Sequence, residues 1–177
     1  MYRRRKVWHL STLLVVALLV ACTNPNPNPV PTPLPTPSPQ ASGCILPSDP
    51  AAHVYHPDRL QVLNPCATVT GTIVRIRVEP DGDFHIQLRP DPTSLDSKGG
   101  HWVNAGNVSG QGGYLVLEPV CENPVTQADA ATACQGYHNP ITVPPVGSHV
   151  TVTGPWVLDK DHGWQEIHPV EALGAIA

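Results

Sequence analysis

The segment Asp161-His162-Gly163-Trp164-Gln165-Glu166-Ile167-His168-Pro169-Val170 puts two histidines, a tryptophan and a central carboxylate into ten residues near the C-terminus. In an extended chain, side chains alternate between faces. Trp164, Glu166 and His168 therefore share one side, with His162 just ahead of them. Two or three histidines with a carboxylate are adequate ligands for Zn²⁺ or a similar divalent ion, and an open coordination position would support metal-assisted hydrolysis. His85 is the further histidine that a β fold could bring to this set. The same groups can instead hydrogen-bond to backbone, or to Arg75 or Arg77, and simply fix strand register. The His162–His168 spacing matches no metalloenzyme motif such as HExxH. There is also no nucleophile elbow, no phosphate-cradling Gly-rich loop and no Ser-His-Asp arrangement legible in sequence. No catalytic residue is assigned, and binding is expected before catalysis.

The elements that position this segment are strands. Residues 67–79 alternate Val74, Ile76 and Val78 with Arg75 and Arg77, giving one buried and one wet face. Gly71 predicts a bulge or bend in that strand. Pro80-Asp81-Gly82-Asp83 is a turn. On the returning strand Phe84, Ile86 and Leu88 point inward, opposite His85, Gln87 and Arg89. Residues 90–112 form a long irregular connection containing His101 and Trp102. A third strand is expected over 114–121. Residues 125–134 are Ala-rich, with Thr126 placed to cap and Gly136 placed to stop, and predict a helix. Strands over 149–158, broken by a bulge at Gly154-Pro155, and over 164–171 complete the chain. This order, with a helix between strands three and four, predicts a mainly β, five-stranded OB-fold-like antiparallel barrel. Another small antiparallel barrel or a sandwich is the alternative.

In such a barrel the loops after strands one and four flank one binding face. Asp81, Asp83, Asp159 and Asp161, with Glu79, would then meet Trp164 at one pole, opposed only by Lys160. These are the candidate binding residues. An acidic rim attracts cations or neutral ligands and repels phosphate.

The chain's ends carry a different message. Residues 1–22 have a basic start at Arg3 to Lys6 and an apolar run shorter than the ~20 residues of a spanning helix. The run ends in Leu19-Val20-Ala21-Cys22, which resembles the lipobox of bacterial lipoproteins. That resemblance implies a lipid on Cys22, an anchored mature N-terminus and a domain on the extracytoplasmic side of the cell membrane or outer membrane. Residues 23–43 have proline at nearly every second position. They predict an extended tether, at about 3.1 Å per residue some 60 Å long, leading to a single domain over 44–177. Without the four basic residues of the leader, six of the ten remain against 14 acids. A domain near −8 is a poor non-specific binder of nucleic acid. Cys44, Cys66, Cys121 and Cys134 are an even set in an exported domain, which favours two disulfides. Of the three pairings possible, Cys44–Cys66 and Cys121–Cys134 close short local loops. A structural zinc site is the rival, against which the absence of paired CxxC spacing counts. The 44–66 stretch, with His53 and His56, reads as a flap pinned by its disulfide.

Val69-Thr70-Gly71-Thr72-Ile73-Val74, Asp81-Gly82-Asp83-Phe84-His85 and the closing segment together resemble a group of exported microbial proteins without an established activity. The resemblance spans about residues 44–172 and bears on fold more than on function. The expected function is a lipid-anchored, non-enzymatic envelope module, monomeric, binding a glycan, a peptide or a partner protein.

Overall fold

The computed structural model describes residue 44, residues 50–96 and residues 99–177. The leader, Cys22 and the tether lie outside the described residues. The domain is mainly β. Its elements are β1 (Leu60–Val78), β2 (Phe84–Pro90), α1 (Ala105–Gln111), β3 (Leu115–Leu117), β4 (His149–Asp159), β5 (Gln165–Ile167) and β6 (Ala172–Ala175). Among the described residues no helix is long and apolar enough to cross a membrane.

The sheet rings through five strands. β1 pairs with β2, β2 with β3, β3 with β5, β5 with β4, and β4 returns to β1. All these pairs are antiparallel except β3–β5, which is parallel. A sixth strand, β6, pairs with β4 over Val150–Thr153. β1 can serve two neighbours because it is long: its first half faces β4 and its second half faces β2. The handover is at Gly71, partnered by Pro90 on one side and Val150 on the other. A Cβ there would lie 2.4 Å from the Arg89 carbonyl oxygen, so only glycine fits. The register shift expected near Gly71 instead falls between Ile73 and Arg75. It turns Ile73 and Ile76 inward and leaves Val78 59% exposed, where simple alternation had placed it inside. On the β4 side the irregularities lie in β1, between Val62 and Ala67, and not at Gly154-Pro155.

Inside the ring, Val69, Ile73, Ile86, Leu88, Leu115, Leu117, Val150, Val152 and Ile167 are fully buried. At roughly 1.5–3 kcal/mol per large aliphatic side chain, this layer is the main source of stability. Trp102 and Trp156 pack edge-to-face against it, 5.3 Å apart. A smaller cluster of Val54, Val120 and Cys121 lies beneath the turns at Pro50–His53 and Pro57–Arg59. Tyr137 packs against it and stacks on His53. Both short-range disulfides are formed, Cys44–Cys66 and Cys121–Cys134. Each is worth about 3 kcal/mol in the chain-entropy picture.

The helix is not where its alanines predicted. Residues 127–136 are successive turns, with i→i+3 bonds such as Ala130 N–H to Gln127 O and Ala133 N–H to Ala130 O. A ten-residue helix is marginal without a face to bury. Among the described residues the α-helix that forms is α1, between strands two and three. Asn104 and Asn107 cap it reciprocally, and Gly112 ends it in the left-handed region. Its glycines are there for close approach: a Cβ at Gly106 would lie 2.0 Å from the Gly163 carbonyl oxygen. Asn107 adds side-chain amide bonds to Tyr114 O and Gln165 O. α1 is thus tied to the turn that carries His162 and Trp164.

Candidate functional site

At the end of β4 the Asp159 carboxylate builds the turn into β5. Its Oδ1 accepts the N–H groups of Asp161 (2.9 Å) and His162 (3.1 Å), and its Oδ2 accepts His162 Nδ1 (2.9 Å). Arg59 adds an ion pair on the same oxygen. Burial pushes this carboxyl up, but the hydrogen bonds of Arg59 and His162 win and hold it below its usual range.

The next turn of the chain aligns the aromatic rings. His162 stacks on Trp164 at 4.4 Å and 7°. His85 meets Trp164 edge-on at 6.1 Å. Gly110 of α1 lies against the six-membered ring, where an added Cβ would be only 3.2 Å away. Trp164 is therefore a wall, and the exposed ring is His162, whose side chain is 51% accessible. Trp164 Nε1–H donates to Glu166 Oε1. His168 Nδ1 shares a hydrogen bond of 2.9 Å with Glu166 Oε2. His168 Nε2 is buried with no hydrogen-bond partner among the described residues, which suits the tautomer whose proton sits on Nδ1 and faces Glu166.

Across the parallel β3–β5 pair sits Glu118, just beyond β3. Val116 is the partner of Glu166. Alternation then puts Glu118 on the same face as Glu166. Glu118 Oε1 lies 2.7 Å from His85 Nδ1, and His85 Nε2 lies 3.0 Å from Gln111 Oε1 of α1. Burial first, then the carboxylates Glu166, Asp83 and Asp81, push the Glu118 carboxyl well above its ordinary value. Burial likewise lowers His85.

These groups surround a cleft of about 220 Å³. Glu79, Pro80 and Asp81 of the β1–β2 turn form one lip, His162 and Trp164 of the β4–β5 turn another. His85, Glu118 and Glu166 lie along the sheet, with Arg59, Arg77 and Gln127 between. Arg77 pairs with Glu79 at 3.1 Å. The two acidic turns therefore do meet at one pole. Of the predicted binding residues, Asp81 and Trp164 line the cleft. Asp159 is fully buried beneath it and Asp161 is exposed beside it. Asp83 is also buried, and its Oδ1 accepts Cys121 N–H at 2.7 Å, steadying a residue at φ 58°. Burial, then Asp81, raises the Asp83 carboxyl to about 7.

The predicted metal set divides. His162 and Glu166 fall with Asp159 in a group whose candidate atoms lie within 4.8 Å of one another. His85 is turned to Glu118 and Gln111, with both ring nitrogens engaged, and His168 stands behind Glu166. Within the group, Arg59 and His162 hold Asp159, while Trp164 and His168 hold Glu166. The guanidinium of Arg59 supplies the positive charge that an ion would bring. A second close group, Asp83 with Cys121 and Cys134, has its sulfurs joined in a disulfide. Sequence reasoning missed Glu118, Arg59 and Gln111. A lone acid after the apolar run Leu115–Leu117 was the available signal for Glu118. Nothing local marked the other two.

No family model matches the chain, and no curated protein matches it.

Proposed function

We propose that this chain is a lipid-anchored envelope module that binds a small polar ligand, neutral or cationic, in the cleft between the β1–β2 and β4–β5 turns. The observation that carries this reading is the cleft itself. A small domain has placed Glu118, Glu166, His85 and His162 around one concavity, each held by named partners. Fixed, convergent polar groups in a concave site are the general mark of ligand recognition. The ring order with β3 parallel to β5, and a cleft at the pole of these two turns, support an OB-type barrel. The lipobox at Cys22, the Pro-rich tether and the two disulfides support an oxidising compartment outside the membrane. Four acidic side chains, three of them besides Glu118, against two arginines argue against nucleic acid. The ligand is a sugar unit of a glycan or a side chain of a peptide or partner protein, and the module acts as a monomer without turnover.

The rival reading is a divalent ion on Asp159, His162 and Glu166, favoured by their proximity. It requires Arg59 to release Asp159 and Trp164 to release Glu166. Both readings are tested by nuclear magnetic resonance on the full-length protein, titrated separately with N-acetylglucosamine, with the lysine mimic n-butylammonium and with Zn²⁺. Binding in the cleft predicts that one of the two organic probes shifts the Trp164 indole N–H and the His162 ring before other signals. Shifts elsewhere only, or none with either organic probe, would overturn it. A stoichiometric response to Zn²⁺ alone would establish the rival.

A further inference from the structure

The hydrogen bonds behind the cleft fix where a proton sits. Gln87 Nε2 is a donor, because it reaches the backbone carbonyl of Gln111 at 3.4 Å. The same nitrogen reaches Gln111 Oε1 at 2.9 Å, so that oxygen accepts. His85 Nε2, 3.0 Å from the same oxygen, must then carry a hydrogen. In a neutral imidazole this leaves Nδ1 as an acceptor. Its partner at 2.7 Å, Glu118 Oε1, must therefore donate, which only a carboxylic acid can do. The alternative, an imidazolium facing a carboxylate, would put two charges into a pocket where both groups are buried. The directions in which burial moves Glu118 and His85 agree with the neutral pair.

The charged groups acting on Glu118 come from every side. Glu166 stands on β5, Asp81 and Asp83 in the β1–β2 turn, and Arg59 ahead of β1. Arg59 is committed to Asp159. With three acidic groups around it and Arg59 engaged by Asp159, Glu118 is neutralised by a proton.

We propose that Glu118 and His85 form a proton-operated switch in the wall of the cleft. With the proton, the wall presents a carboxylic acid beside the Glu166 carboxylate. Without it, the wall presents two carboxylates, and His85 must move its hydrogen to Nδ1 to face the new charge. Gln111 must then turn its amide to face a bare Nε2, and Gln87, whose amide nitrogen would then meet a second donor, must give up its bond to the Gln111 side chain. A primary ammonium entering the cleft favours the second state and so binds with release of the Glu118 proton. This proposal rests on the cleft being the binding site, and the two ideas fail in different ways.

Glu118→Gln is the discriminating variant. Its side-chain amide still donates to His85 Nδ1, so it copies the protonated state and cannot leave it. The full-length protein is followed by ¹⁵N resonance of His85 between about pH 5 and pH 9, then titrated with n-butylammonium and its uncharged analogue 1-butanol. The wild type should exchange the Nε2–H tautomer for Nδ1–H in one step. Its affinity for butylammonium should rise by up to about tenfold per pH unit across that step, the limit for exchange of one proton. Glu118→Gln should keep the Nε2–H form throughout and bind butylammonium with one weak, pH-independent affinity. A His85 tautomer that stays fixed in the wild type, or a variant that follows the wild type, would overturn the switch. So would butylammonium that moves Trp164 and His162 with the same affinity at every pH, although the cleft would then still stand as a binding site. If neither butylammonium nor 1-butanol disturbs Trp164 or His162 at any pH, while N-acetylglucosamine does, the link to ammonium binding is wrong and the cleft again survives.

Discussion

Two buried carboxylates near one cleft, Asp159 and Glu118, each face a histidine, yet they are neutralised in opposite ways. Asp159 has Arg59 and His162 beside it and is held ionised, below its usual range. Glu118 has His85 on one side, and burial first, then the carboxylates Glu166, Asp83 and Asp81, drive it well above its usual range. The comparison shows what a buried acid requires. It takes a cation when the fold delivers one and a proton when it does not. The cation fixes a turn for good, whereas the proton leaves a group that can be switched.

The sharpest way to break this comparison is to remove the cation. Arg59→Met should leave Asp159 buried and unpaired and should cost about 3–5 kcal/mol, the usual scale for breaking a buried pair from one side. Urea unfolding would read this as a lower midpoint. A loss under about 1 kcal/mol would mean that the Asp159 turn is held by its backbone donors alone.

A second effect is smaller and concerns pH. Glu118 is raised, and Asp83 and Glu122 are raised to about 7. For a group raised in the folded state, the stabilising contribution is complete below its unfolded value near 4 and is lost as pH rises through the folded value. Asp159 is lowered, so its contribution is present above its unfolded value near 4 and fades as pH falls through the folded one. The melting temperature should therefore be highest at mildly acidic pH and fall between about pH 5 and pH 8. A melting temperature that rises over that interval would contradict the raised carboxyls of Glu118, Asp83 and Glu122.

The two Ala- and Gly-bearing connections give the smallest contrast. Asn104→Ala removes a reciprocal cap and should cost about 1 kcal/mol. Ala131→Gly would cost a similar amount in a helix, but in the turns of residues 127–136 it should change stability by less than about 0.3 kcal/mol. Equal losses at the two sites would restore the helix that the alanines suggested.

Much of the fold was legible because it rests on local patterns. The period-two apolar runs gave β2, β4 and β1 from residue 67 on, the Asp-Gly pair gave the first turn, and the cysteine spacing gave both disulfides; residues 60–66, read as the end of a flap, are instead the start of β1, paired with β4. The helix was misplaced because propensity ranks Ala above Gly, while α1 was selected for its close approach to Gly163 and Trp164. β6 was missed because Ala172-Leu173-Gly174-Ala175 has no alternation to see. The closing segment did prove to hold Trp164, Glu166 and His168 in one connected set. What sequence could not supply was the company they keep. Burial and then Glu166, 48 positions further along the chain, raise the Glu118 carboxyl, and Arg59 reaches Asp159 across 100. Such pairings exist only once the ring of strands has closed.

The most direct test of this account is the titration of Glu118 itself. Carboxyl ¹³C resonances of the full-length protein, assigned by comparison with Glu118→Gln, would follow its ionisation. Glu118 should stay protonated through the ordinary carboxylate range and ionise well above it. A Glu118 that titrates near its ordinary value, about 4.5, would contradict the proton held against His85 and the switch built on it.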